Sequence, residues 1–305
     1  MSAATATAPG GASLGAASPD AGGPEAASSH DRCEPSWRTL VAPYRRSDDR
    51  IATWQLLTTV PPYLGLLVTM VLSLDGPYAL TLLLAVPAAA FLARTFVLFH
   101  DCGHDSLFSR RRINDAVGLA LSLLVWEAFH YCRHIHAVHH ATSSHLERRG
   151  TGDYDTLTVK EYLALPPMKR FAYRVSRHPA FLFLVLPCFK FTLYNRLRLR
   201  PAPQPAWRSV PLTNLALLLV HGTAMALLGW REVLWVMLPV FWLASLIGLW
   251  LFYVQHQFEQ AWWARQGGWA MHSAALRGSD GHIRRKMNHW SGYCRTNGSS
   301  ERTMS

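Results

Sequence analysis

Apolar residues gather in four runs, at 54–74, 78–99, 211–229 and 232–254, each close to the ~20 residues a helix needs to cross the hydrocarbon core of a bilayer. Pro61, Pro62 and Pro87 fall inside the first two runs. Membrane helices tolerate such breaks where neighbouring groups satisfy the freed carbonyls. The runs pair naturally. The first two are joined by the short Leu74-Asp75-Gly76-Pro77 link and the last two by Trp230-Arg231-Glu232. The pattern therefore predicts an all-α integral membrane protein with about four spanning helices in two hairpins. A fifth apolar stretch, 115–129, is too short to span and reads as an interfacial or re-entrant helix. Residues 158–178 read as a helix broken near Pro166-Pro167, and 180–193, with Pro187 and Lys190, as less than a full span. Pro201, Pro203 and Pro205 form a stiff link into the second hairpin.

Charge orients this arrangement. The net charge of +11 could point to nucleic acid, but the basic residues flank the apolar runs and form no aromatic-interleaved patch, which excludes that reading. Arg45, Arg46 and Arg50 precede the first run; Arg110, Arg111, Arg112, Arg133, Arg148 and Arg149 follow the second; Lys190, Arg196, Arg198 and Arg200 precede the third. The positive-inside rule then places the N-terminus, the middle segment and the C-terminus in the cytoplasm, making this a multi-pass protein of the cell (inner) membrane. Five cysteines without a Cys-x-x-Cys spacing suit reduced thiols, not a disulfide framework. Residues 1–36 are largely Ala, Gly, Ser and Pro and read as a disordered tail, with no apolar core of a signal peptide. Trp37 to Arg50 reads as a short amphipathic lead-in at the interface.

The chemistry lies in two histidine clusters. His100 and His104 stand in HDCGH directly after the second run, and His136, His139 and His140 in HIHAVHH some thirty residues later. At spacings of three and four, each set shares one face of a helix, which is the ligand wall a transition metal requires. His256, after the fourth run, joins them, because an even number of crossings puts all six on one side. Isolated histidines such as His30, His145, His178, His221 and His272 read as capping or packing residues. The zinc-protease HExxH pattern is absent, no paired Cys/His zinc signature is present, and a bis-histidine haem would need ligands within the spans. Six clustered imidazoles exceed what one ion with open positions needs and point to a pair of metals.

HDCGHDSLF, HAVHH, the RRGTGDYDTLTVKEYLALP stretch and WLFYVQHQFEQAWW together resemble the membrane fatty acid desaturases, in particular the bacterial acyl-lipid type related to Δ12 (omega-6) enzymes. The likeness covers most of residues 38–278, giving a desaturase domain over 37–278 whose cytoplasmic helical cap carries the histidine boxes. By this resemblance His100 and His104 form the first box, His136, His139 and His140 the second, and His256 the additional ligand after the last span. It implies a di-iron centre, O2 as co-substrate, a fatty acyl lipid as substrate and electrons from a ferredoxin or similar carrier. No HPGG-type cytochrome b5 motif is present, so the donor is expected to be separate. Asp101, Asp105, Glu127 and Glu259 are candidate partners for the ring N–H groups. His134 reads as a supporting residue. The physical logic agrees, since an unactivated methylene has no acidic proton and a metal–oxygen oxidant must abstract its hydrogen.

Relatives carry a third box, HxxHH, some thirty or more residues after QHQFE. Here the chain reads DGHIRRKMNHWSGYCRTNGSSERTMS after Ser279, and His282 and His289 reproduce no box. Residues 279–305 are expected to be a divergent tail, with a frameshift or truncated reading frame as its origin; by the resemblance this leaves six ligands where the family has about nine, so that desaturation by this chain is expected to be impaired. Two further readings stay open: a hydroxylase or ketolase of the same histidine-box superfamily, and a non-catalytic remnant that binds metal or assists intact desaturases.

Overall fold

A computed structural model describes residues 47–152, 156–257 and 261–278. Among these residues the regular structure is helical. Helices α1 (Asp49–Leu57) and α2 (Val60–Leu72) form one candidate span, continuing to Asp75, with Pro61 and Pro62 in the first turn of α2, where a missing N–H costs nothing. Helix α3 (Tyr78–Gly103) returns antiparallel to it, and the turn is tied by the Ser73 hydroxyl, 2.7 Å from that of Thr81. Helices α9 (Gln204–Leu228) and α10 (Trp230–His256) make the second hairpin, joined at Gly229. These four candidate spans match the four apolar runs, with two differences. Helix α3 continues to Gly103 and so carries the first histidine pair on its last turn. Helix α9 begins at Gln204, inside the proline-rich link, because Pro205 sits at its tolerant first turn.

The span exteriors are apolar and uncovered. Leu215, Leu218, Leu219 and Leu227 are exposed, an arrangement that suits lipid and would be costly in water. The core lies between α2, α3, α4 (Arg111–Val125) and α10, where Tyr63, Met70, Ala85, Ala88, Phe99, Val236 and Val240 are buried. Small residues at 85, 88 and 89 let α3 approach its neighbours closely.

Between the hairpins, α4 runs back along α3 and α5 (Phe129–Thr142) returns beside α9. Their turn reaches deep into the bundle. Trp126 stacks on Phe241 with ring centroids 3.8 Å apart, and Phe241 precedes His256 by fifteen residues, or ~22 Å of helix. The turn that follows α4 therefore packs among the helices beside the middle of α10. Trp126 holds a left-handed φ of 56°, secured by that stack and by Arg196, which donates to its carbonyl. Beside it Glu127 is buried, accepts from Asn195 and lies 3.8 Å from Arg196. This buried pair was not legible in the one-dimensional pattern.

The middle segment continues as α6 (Val159–Ala164), opened by a Thr158/Glu161 capping box, and α7 (Pro167–Arg177). The break at Pro166-Pro167 falls where the sequence placed it. A π-helical turn, Phe181–Val185, and α8 (Leu186–Thr192) then pack against α10 without making a full span. Residues 261–278, ending in α11 (Met271–Arg277), dock on the turn after α5 through Ala264 N–H to the Ser144 carbonyl and Leu146 N–H to the Ala264 carbonyl, both 3.0 Å. The expectations for the N-terminal tail, for most of the amphipathic lead-in, for Glu259 and for residues 279–305 fall outside the described residues.

Candidate metal centre

Two helix ends build the site. Helix α3 stops in a Schellman arrangement: the Ser106 N–H bonds to the Asp101 carbonyl and the Asp105 N–H to the Cys102 carbonyl, both at 3.1 Å, with Asp105 in the left-handed region at φ 55°. His104 is thereby the C-cap residue, one turn beyond His100 on the same face. The following loop is clamped by Asn114, fully buried, which accepts the Phe108 N–H at 2.9 Å and donates to the Phe108 carbonyl at 2.8 Å. Arg133 of α5 ties the two helices by pairing with Asp105 and with Asp115, the latter at 2.6 Å. Against this frame α5 presents its own imidazoles. Its approach depends on Gly118 of α4, where any Cβ would lie 2.2 Å from the Phe129 ring, which in turn packs edge-on against Phe99.

Four of the six expected ligands converge. Ring nitrogens of His100, His104, His136 and His140 all lie within 4.8 Å of one another. His136 Nε2 is central, at 2.8 Å from His100 Nε2, 3.0 Å from His104 Nε2 and 2.9 Å from His140 Nε2. One imidazole nitrogen carries either a proton or a single lone pair, so three contacts at these distances cannot all be hydrogen bonds. Nor does protonation resolve the crowding. Burial, then the neighbouring imidazoles, hold the His136 and His104 rings below the ordinary histidine value, and the same causes push His140 down to about 4. Converging neutral imidazoles need a cation between them, so the donor set fits a transition metal.

The other two stand together beside the quartet, the His139 ring lying 5.8 Å from that of His136 and 5.5 Å from that of His140. The rings of His139 and His256 are 5.0 Å apart and nearly perpendicular, with Phe252 against both. His139 is deeply buried beneath Gly152, whose φ of 76° and close approach, a Cβ there lying 2.9 Å from the His139 Cβ, leave no room for a side chain. The six histidines thus divide into a quartet and a pair. Of the carboxylates expected to orient them, Asp101 lies 3.3 Å from His100 Nδ1, whereas Asp105 serves Arg133 and Glu127 serves Asn195 and Arg196. His134 is partly buried and outside the quartet. Of the histidines read as structural, two are held by protein groups: His145 lies buried between Glu147 and Gln266, and His221 bonds to the Leu217 carbonyl of its own helix.

A cavity of about 1020 Å³ opens beside both groups, at the upper end of the ~300–1,000 Å³ range of small-molecule sites. Its walls run from the histidines down α3 to Leu92 and along α10 to Phe241, with Phe96, Phe189 and Leu249 between. The lining is mostly apolar, the shape and chemistry of a place for a hydrocarbon chain.

Comparison with known proteins bears on what fills it. The fatty acid desaturase family model matches residues 76–293. The chain is 38% identical over 250 residues to a Bacillus subtilis protein named fatty acid desaturase, covering 82% of this chain and 71% of that one. The chain belongs to the fatty acid desaturase family. Shorter likenesses reach the Synechocystis sn-1 oleoyl-lipid 12-desaturase, 36% identical over 89 residues, 29% of this chain and 24% of that protein. A Vigna radiata endoplasmic-reticulum omega-3 desaturase is 33% identical over 101 residues, 33% of this chain and 24% of the relative. Membership makes the protein a membrane-associated oxidoreductase with a lipid substrate, and among the described residues the histidine cluster could hold a metal ion.

Proposed function

We propose that this protein introduces a carbon–carbon double bond into a fatty acyl chain of a membrane lipid, using O2 and two iron ions. His100, His104, His136 and His140 would hold metal at one position, and His139 and His256 would contribute to a second. When bound, iron with O2 supplies the oxidant that an unactivated methylene demands. The balance is simple: the acyl chain gives up two hydrogens, a donor gives two electrons, two protons enter, and O2 leaves as two waters. The electrons come from a separate ferredoxin-like carrier, and the positive-inside bias sets the site on the cytoplasmic face of the cell membrane.

The protein's own residues do the rest. Phe96, Phe189 and Leu249 line the cavity and keep water from the acyl chain, while the Schellman end of α3 and the Gly118–Phe129 contact hold the two histidine helices in register. The observation that carries the reading is the meeting of a convergent neutral imidazole set with an apolar cavity in one membrane protein of this family. A test reconstitutes the full chain with iron in phosphatidylglycerol/phosphatidylcholine vesicles, adds reduced ferredoxin, and analyses the released acyl chains by mass spectrometry. Loss of two mass units from a chain is expected in the parent and not in His136→Ala. Gain of sixteen mass units would instead assign hydroxylation. Unaltered lipids beside a fully metal-loaded protein would overturn the proposal in favour of a non-catalytic metal-binding role.

A further inference from the structure

A second, smaller cavity lies beside the first. It is a shallow groove of about 640 Å³ between α7 and the π-helical turn, lined by Phe171, Arg174, Val175, His178, Phe181 and Leu184. Phe181 lines both cavities, so one half-buried ring forms a wall between the groove and the histidine chamber. The π-turn that carries Phe181 is set by the Trp242 indole, which donates to the Leu184 carbonyl at 2.9 Å. Such turns recur where a helix is adapted to a site.

Helix α7 makes the outer rim and has two faces. Met168, Phe171 and Val175 recur at helical spacing and are exposed, Met168 by 75% and Phe171 by 57%. Lys169, Arg170, Arg174 and Arg177 occupy the rest. Arg170 bonds to the Leu163 and Leu165 carbonyls and Arg177 to Gln257, so both are engaged within the fold. Arg174 is exposed and forms no hydrogen bond or ion pair among the described residues. His178 accepts the Ala180 N–H at Nδ1, leaving Nε2 as its remaining polar atom. An apolar stripe beside free basic groups is the pattern of a helix lying in an anionic lipid interface. An acidic protein partner would use the charge but not the exposed Met168 and Phe171.

We propose that the groove is the lateral entry site for the substrate lipid. An anionic phospholipid of the surrounding leaflet places its phosphate at Arg174 and His178 and its acyl chain along Phe171, Val175 and Leu184. Displacement of the Phe181 ring then admits the chain to the histidine chamber. This rests on the reading that the substrate is a membrane lipid, but its test does not need turnover.

The full chain is reconstituted in nanodiscs of phosphatidylglycerol bearing a photoactivatable diazirine midway along one acyl chain, and cross-linked peptides are mapped by mass spectrometry. Adducts are expected both at residues 171–185 and at chamber residues such as Leu249. Phe181→Trp should lower the chamber adducts at least about fivefold while groove adducts persist, and Phe181→Leu, which keeps an apolar side chain without added bulk, should retain both. Arg174→Glu should lower the groove adducts about fivefold and Arg174→Lys should not, because the head-group term is electrostatic. Absence of adducts at 171–185, or chamber adducts unchanged by Phe181→Trp, would overturn the entry route. Groove adducts unchanged by Arg174→Glu, together with loss of reduction by the electron carrier, would assign α7 to a protein partner. A catalytically silent protein that still shows the expected adducts would sink the desaturation reading and leave the lipid entry site standing.

Discussion

Replacing Gly118 by alanine tests whether the register of α4 and α5 sets the metal centre. The new Cβ would meet three carbons of the Phe129 ring at 2.2, 2.5 and 2.6 Å. The nearest falls short of the ~3.5 Å carbon–carbon contact by about 1.3 Å. Phe129 is buried and held against Phe99, so the ring has nowhere to turn, and the first turn of α5 must move instead. Alanine gains about 1 kcal/mol of helix propensity over glycine, against an overpacking penalty of about 1–3 kcal/mol, so the net change in stability is modest. The geometric effect is larger. A shift near 1 Å carried to His136 and His140 exceeds the ~0.5 Å tolerance of a preorganised site. Metal per chain in purified Gly118→Ala should fall well below half that of the parent, while the melting temperature drops by only a few degrees. Gly118→Ala combined with Phe129→Leu should regain metal, because the leucine lacks the ring carbons that clash. A single variant with parental metal content, or a double variant no better than the single, would refute the argument.

Three further predictions follow from the same geometry. His136→Ala should remove the metal bound by the quartet and His256→Ala the metal bound at the pair, each lowering metal content by about one equivalent; if either alone abolished all binding, the division into two positions would be wrong. Asn114→Leu leaves the buried Phe108 N–H and carbonyl unpaired and should destabilise by about 1–3 kcal/mol per group, read as a lowered thermal midpoint; an unchanged midpoint would show the loop is held elsewhere. At Glu161, burial opposes ionisation but is outweighed by the Thr158 N–H, the Arg149 guanidinium and the Thr158 hydroxyl, which bring the carboxyl down to about 2. Its contribution is therefore present above the ordinary glutamate value of 4.5 and lost as the pH falls from 4.5 toward 2. The parent and Glu161→Gln should differ in melting temperature at pH 6, and the difference should shrink below pH 4.5 and vanish only as the pH approaches 2. The difference is small, because the carboxylate is part-exposed, and curves that stay parallel would contradict the assignment.

The four spans, their pairing and the two histidine faces were legible in the chain because each rests on local physics. A run of apolar residues is long enough to cross a bilayer or it is not, and residues three and four apart share a helix face whatever lies beyond them. The bland readings of His145 and His221 followed from the same reasoning, and both proved to be held by neighbouring protein groups. The place of 115–129 was half-legible: the stretch is too short to span, but how far its turn packs into the bundle depends on Trp126 meeting Phe241, a contact between residues more than a hundred positions apart.

Tertiary structure alone decided how the histidines divide. His139 and His140 are adjacent in sequence, yet a step of one residue turns ~100° around a helix, so His140 joins the quartet and His139 faces His256. Composition could not reveal the part played by Gly118 or Gly152, because the need for a missing Cβ exists only once Phe129 and His139 have been packed against them. The same holds for Glu127 and Arg196, two ionisable groups that water solvates in an extended chain and that must find each other when the packed turn removes that water. Periodicity and spacing determined which side chains could share a face. Which faces meet, and therefore where a metal and a hydrocarbon chain fit, was settled by long-range packing that no local pattern encodes.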